Sequence, residues 1–187
     1  MQENQRVVLS KKMLRNGLLK LMETRDIYDI TVRDICSASG INRSTFYRHY
    51  NNQMELLDEI IDEIFGLIAE VNQRATSNTR DSLLYIREAL MFFYVHREYD
   101  PILLSRYFTA ETYYKMLAAV MKEGYTSMPG NEKMDPVDLD YTIRFLCYGS
   151  YSIMREWIVR NRAESPEKIA QMMLHLCMGP GVAPTGK

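Results

Sequence analysis

Between Ile30 and Tyr50 two short stretches of helical periodicity flank a Ser-Gly pair, and that spacing constrains the fold more than any other feature of the chain. In ITVRDICSASGINRSTFYRHY, the apolar positions Ile30, Val32, Ile35, Ala38, Ile41, Phe46 and Tyr50 fall where two helices can lock at a fixed crossing angle. Thr31 offers an N-cap, with Asp34 three residues on. Gly40 suits a left-handed C-terminal cap because it has no Cβ to clash, and Asn42 can cap a second helix over Arg43–His49. The small pair Ser39-Gly40 is expected to let the two helices approach. The segment reads as a helix-turn-helix.

The second of those helices decides what the unit can touch. Beside the core candidates Phe46 and Tyr50 it presents Asn42, Arg43, Ser44, Thr45, Tyr47, Arg48 and His49, nearly all hydrogen-bonding groups and no acid. Such a face suits a major groove lined by phosphates and base edges. Arg43 is the first candidate for base reading, since a guanidinium can bridge guanine O6 and N7. A net charge of −1 looks unpromising for a DNA binder, but its distribution matters more than its total. Residues 1–53 hold nine Lys/Arg against five Asp/Glu, and the remainder fourteen against nineteen. A basic head on an acidic body gives one end that phosphates attract and one that they repel.

Elsewhere the periodicity is again helical, with no convincing period-2 strand, so the expected fold is all-α with about nine helices. Ser10 is placed as the cap of a first helix with Leu14, Leu18, Leu21 and Met22 on its apolar side. A long helix from about Asn52 has Leu57, Ile60, Ile61, Ile64, Ile68 and Val71 as its stripe. The polar run Gln73–Arg80 is expected to be a loop. A helix over about Ser82–Glu98 is expected to stop at Asp100-Pro101, because proline disfavours helix in the residue before it. One or two more helices are expected over 102–125, followed by a loop at Tyr125–Lys133. Asp135-Pro136 and Ser165-Pro166 are helix starts, the first helix reaching about Arg162. The division expected is a helix-turn-helix domain over 1–53, a helical bundle over 54–179 and a disordered tail over 180–187.

Between Phe145 and Met154 the run FLCYGSYSIM has no charge on any face, so that helix must be covered on more than one side. A single short recognition helix reads few bases, which favours a dimer on a palindromic site. Phe145, Gly149, Ser150, Ser152 and Ile153, with Ile169, Met172, Met173 and Leu176 of the last helix, are the candidate interface, two helices from each subunit forming a four-helix bundle. The 13 Met and 13 Tyr can build an adaptable pocket with hydroxyls for orientation. Its candidate lining is Tyr94, His96, Arg106, Tyr107, Tyr113, Tyr114 and Tyr148, for a small-molecule effector that the sequence does not identify.

The pattern Thr31-Val32-x-Asp34-Ile35, then Ala38-x-x-x-Ile41, then Ser44-x-Phe46-Tyr47-x-His49-Tyr50 resembles the TetR family of bacterial regulators, and the resemblance covers residues 8–65 well. The segment GSYSIMREWIVRNRAESPEKIAQMM also looks like a C-terminal domain common in Gram-positive members. The resemblance implies that Thr31 and Arg33 approach phosphates, that Arg43, Ser44 and Thr45 face the groove, and that Tyr47 and His49 touch backbone or thymine methyls. It further implies a ligand-responsive homodimeric repressor on double-stranded operator DNA, with the long fourth helix relaying the ligand's effect. One departure is Gln53, where the family usually has a lysine; the helix dipole at Asn52–Gln53 is the expected substitute for that charge.

Other classes fare less well. His49, His96 and His175 have no metal-ligand spacing, and there is neither a glycine-rich phosphate loop nor a Gly-x-Ser-x-Gly elbow, so no enzyme class and no cofactor is indicated. Cys36, Cys147 and Cys177 form no CxxC pair and read as small buried apolar residues. The N-terminus lacks the apolar stretch of a signal peptide and no run approaches membrane-spanning length, so a cytoplasmic protein is expected. An adaptor acting through a partner protein stays open beside the DNA-binding reading, since Gln53 and the acidic body both leave room for it.

Overall fold

The structure is a computed structural model and describes residues 2–76, 82–126, 130–131 and 133–178. Among these residues all regular structure is helical. The α-helices are α1 (Gln2–Met22), α2 (Val32–Ser39), α3 (Arg43–His49), α4 (Gln53–Thr76), α5 (Ser82–Val95), α6 (Asp100–Leu103), α7 (Ala110–Thr126), α8 (Pro136–Val159) and α9 (Pro166–Met178). Short 3-10 turns lie at Ile27–Asp29 and Arg97–Tyr99. The all-α architecture expected from the periodicity is the one observed. The chain forms two compact units. The first takes in the residues up to Gly66 together with Glu98–Tyr107, and the second takes in Leu67–Arg97 and the chain from Phe108 on. The first unit is therefore larger than residues 1–53, since it includes the opening turns of α4 and a piece of chain from between α5 and α7.

In the first unit Leu14, Leu18, Ile27, Ile30, Ile35, Phe46, Leu56, Leu57, Ile60 and Ile64 are almost wholly buried, so the stripes of α1, α2, α3 and α4 meet in one core. α1 begins at Gln2, well before Ser10. Ser10 lies inside the helix, its hydroxyl donating to the Arg6 carbonyl at 2.8 Å, so it caps nothing. Ala38 is exposed and takes no part in locking α2 to α3. The close approach that small residues permit lies instead between α1 and α2. A Cβ on Gly17 would stand 3.0 Å from Ser39 Cβ, 3.1 Å from Ser39 N and 3.3 Å from the Ile35 carbonyl oxygen. Two of those three atoms are backbone and cannot swing aside. Gly17→Val should therefore lower the stability of this unit by about 1–3 kcal/mol, the usual cost of overpacking a tight seam. A urea midpoint equal to that of the native chain would show that the seam yields.

In the second unit α7 packs on α8, and α5 packs on α9. α5 ends at Val95 rather than near Glu98, and Asp100-Pro101 opens α6 instead of stopping a helix, because proline fits a first turn whose N–H groups have no helical partner. α8 starts at Asp135 as expected, its carboxylate accepting from the Val137 and Asp138 amides, but ends at Val159. Asn161 and Arg162 then adopt left-handed φ values of 54° and 55°. That conformation is costly for non-glycine residues, and buried contacts hold it. The Arg162 guanidinium donates to the Phe93 carbonyl at 2.9 and 3.1 Å and lies over the Trp157 ring, while the Trp157 indole N–H donates to the Glu164 carbonyl. Cys36 and Cys147 are buried free thiols, as expected. The expected loop at 73–80 is helical through Thr76, and residues 77–80, like the tail 180–187, lie outside the described residues.

Candidate nucleic-acid interface

α2 and α3 are short helices whose ends are fixed by side chains rather than by length. At α2, the Thr31 amide and hydroxyl donate to Asp34 Oδ2 at 2.9 and 2.8 Å, and the Asp34 amide donates back to Thr31 Oγ1 at 3.2 Å. These reciprocal bonds form the capping box expected from the sequence and hold the Asp34 carboxyl below its usual range. Gly40 closes α2 at φ 70°, a conformation that a Cβ would disfavour. Asn42 then caps α3, its Oδ1 accepting from the Thr45 amide and from the Ser44 hydroxyl, both at 2.8 Å.

α3 separates its side chains cleanly. Phe46 is fully buried and Tyr50 nearly so, the two rings lying 5.6 Å apart. Asn42, Arg43, Ser44, Tyr47 and Arg48 are exposed, and Thr45 and His49 are half-buried. The Arg43 guanidinium lies 5.8 Å from the Tyr47 ring centre and donates to the Tyr47 hydroxyl at 3.4 Å. No acid lies between Ile35 and Met54, so the face has no built-in competitor for phosphate.

The basic residues of this unit fall into two groups. Lys11 pairs with Glu59 at 2.8 Å, Arg15 with Glu63 and the Tyr99 hydroxyl, and Arg25 with Asp34 and the Asp29 carbonyl. The Tyr50 hydroxyl donates to Glu59 at 3.0 Å, which ties the end of α3 into the same ionic layer between α1 and α4. Among the described residues Lys12, Arg33 and Arg48 are exposed and enter no ion pair. Lys11, Arg15 and Arg25, with Arg106 on Asp26, are thus committed to the fold, whereas Lys12, Arg33 and Arg48, like the exposed Arg6, Lys20 and Arg43, stay open to an outside anion.

Gln53 is half-buried at the start of α4. The amides beside it are already served, since Asn52 Oδ1 accepts from Met54 and Glu55 at 2.9 and 3.0 Å, and Glu55 lies in the first turn. The dipole expected to replace the missing lysine is therefore partly answered by the chain's own oxygens.

The seven residues expected to line a pocket are divided between the two units. Arg106 and Tyr107 belong to the first unit, where they bond to Asp26 and Asp58. In the second unit Tyr113 is buried among Phe108 and Tyr151, and His96 lies against Phe92. Tyr94 stacks on Trp157. Tyr114 and Tyr148 form a surface cluster with Arg144 and Glu111, Tyr148 donating to Glu111 at 2.8 Å.

The residues proposed for subunit association also divide. Phe145, Ser152, Met172 and Leu176 are exposed, and Gly149, Ser150 and Ile153 are half-buried. Ile169 and Met173 are buried within the single chain, on the side of α9 that its own core uses, and have no surface left to offer. Tyr141 is 70% exposed one turn before Phe145 on α8. Its i, i+4 spacing from Phe145 was the available signal for it.

Residues 15–60 match the family described as bacterial regulatory proteins, tetR family, and residues 81–179 match one described as a transcriptional regulator C-terminal region. The chain is 20% identical over 171 residues, 87% of its length, to an uncharacterized HTH-type transcriptional regulator of Bacillus subtilis, YxbF. It is 29% identical over 80 residues, 43% of its length, to the HTH-type dhaKLM operon transcriptional activator DhaS of Lactococcus lactis. The matched parts amount to 43% of each of these curated relatives. A solved TetR transcriptional regulator from Streptococcus agalactiae shares the fold, with a TM-score of 0.71 at 21% identity, covering 95% of this chain and 98% of that one.

Proposed function

The chain belongs to the TetR family of DNA-binding transcriptional regulators, and from that premise we propose that it acts in the cytoplasm as a homodimeric, effector-responsive repressor of a palindromic operator. The observation that supports this reading most is the acid-free exposed face of α3, Asn42–His49, anchored from behind by the buried Phe46. Thr31, Arg33 and Arg48 supply phosphate contacts beside it, and Gln53 a neutral one. An effector acts by preferring one of two dimer geometries and shifting their populations.

Binding of the native chain to duplexes selected from a random-sequence library, followed by fluorescence anisotropy, tests the reading. The selected duplex should bind about 10³-fold or more tightly than a scrambled one, and affinity should fall steeply with salt as counterions are released. Sequence-blind retention together with a stable protein complex would favour the adaptor instead. Activation is the second reading, suggested by the activator role of the Lactococcus relative.

Within the interface, Arg43→Ala should cost about 1–3 kcal/mol on the selected duplex and relax the preference at one base position. Arg33→Ala should weaken all sequences alike and reduce the salt slope. If Arg43→Ala lost equally on selected and scrambled DNA, Arg43 would be a phosphate contact and base reading would lie elsewhere on α3.

A further inference from the structure

We propose that Arg106 and Tyr107 are positioning residues of the DNA-binding head: they hold the turn Asp26–Ile30 from which α2 starts, and sequence-specific binding depends on that hold. The proposal rests on the DNA-binding reading above and adds to it two residues remote from the recognition helix.

The segment Glu98–Tyr107 is built into the first unit. Ile102 and Leu103 are buried, and the buried Tyr99 accepts from Arg15 of α1. From that anchored base Arg106 Nε donates to Asp26 Oδ2 at 3.1 Å, while the other oxygen of the same carboxylate accepts from the Tyr28 amide at 3.1 Å and caps the 3-10 turn. The Arg106 guanidinium also lies 5.9 Å from the Tyr28 ring centre, and the Tyr28 and Tyr107 rings meet edge-on at 6.3 Å. The Tyr107 hydroxyl donates to Asp58 Oδ1 of α4 at 2.7 Å. Burial and that bond push the hydroxyl up to about 12, so it remains a donor at neutral pH. Five side chains thus join the turn to α4 through the segment. At the turn's other end Arg25 holds the Asp29 carbonyl and Asp34, and Thr31 follows directly.

Magnitudes separate positioning from support of the fold. The Arg106 side chain is 73% exposed, and exposed ion pairs of this kind contribute little to global stability. The same contacts fix where α2 begins, and a binding constellation must be held to within about 0.5 Å by side chains around it. Losing the hold should therefore cost affinity out of proportion to stability.

The test uses the full chain with Arg106→Ala, Tyr107→Phe, the double variant and Arg106→Lys, on the duplex that the native chain selects from a random-sequence library. The double variant should bind that duplex about tenfold or more weakly at a nearly unchanged melting temperature. Amide hydrogen exchange should quicken over Tyr28–Ile35 and stay unchanged in α8, and Arg106→Lys should recover part of the affinity. Unchanged affinity in the double variant overturns the proposal. So does a loss matched by a general fall in melting temperature and exchange protection. A native chain that selects no duplex overturns the DNA reading and this dependence with it, whereas variants that bind as well as a binding native chain overturn this inference alone.

Discussion

Phe46→Ala should lower the stability of the first unit by about 3–5 kcal/mol and abolish DNA binding on every sequence. The side chain is wholly buried, with its ring edge-on to Tyr47 at 5.6 Å and tilted against Tyr50 at the same distance. α3 spans only Arg43–His49, far short of the length at which helix propensity alone sustains a helix in water. Its persistence therefore depends on the Asn42 cap at one end and on the ring of Phe46 in the middle. Total stabilities of about 5–15 kcal/mol are usual, so a loss of this size is a large share of the whole. Urea denaturation followed by circular dichroism would read the fall in midpoint, and anisotropy on selected and scrambled duplexes would read the binding. The informative contrary result is a variant with native stability and no binding. That would make Phe46 a DNA contact and would place the recognition face on the opposite side of α3.

The parts of this head that were legible in the sequence are those set by contacts three or four residues apart. Thr31 with Asp34, Gly40 and Asn42 each do in the structure what their spacing implied, because a cap is a bond between a side chain and a nearby amide. The stripe of α4 was legible for the same reason, from Leu57 to Ile68. Periodicity marks a side of a helix as apolar without saying what covers it. Hence Ile169 and Met173, which face the subunit's own core, could not be told from Phe145 and Leu176, which do not. Tyrosine is harder still, since one residue offers both an apolar ring and a polar tip. Tyr113, Tyr114 and Tyr107 looked alike in sequence, yet one is core, one is half-buried beside Tyr148 and one bonds to Asp58. The docking of Glu98–Tyr107 onto α1 and α4 is a contact between distant parts of the chain, with no local spacing to signal it.

Phe145→Asp is the counterpart of the first variant, because it should leave the single chain folded and take the proposed dimer apart. Phe145 is 72% exposed on α8, so an aspartate there meets water in the single chain and should leave helix content unchanged. Tyr141, Tyr148 and Ser152 share its face at helical spacing, and Met172 and Leu176 are exposed on α9. Exposed apolar residues gathered in this way are characteristic of an interaction surface. In a two-fold dimer each substitution acts twice, removing two rings worth about 1.5–3 kcal/mol each on burial and placing two carboxylates in an apolar seam. Dissociation should therefore rise by about 10³-fold or more, and light scattering at micromolar concentration should fall from twice 21.9 kDa to 21.9 kDa. Operator affinity should drop by about 10²–10⁴-fold with the loss of the second head, while binding to scrambled DNA changes far less. Ile169→Asp provides the contrast: that side chain is buried in the single chain, so its replacement should unfold the chain rather than divide the proposed dimer. A native chain that scatters as 21.9 kDa at this concentration would remove the dimer, and a Phe145→Asp chain that stays dimeric with operator binding intact would move the interface to another face.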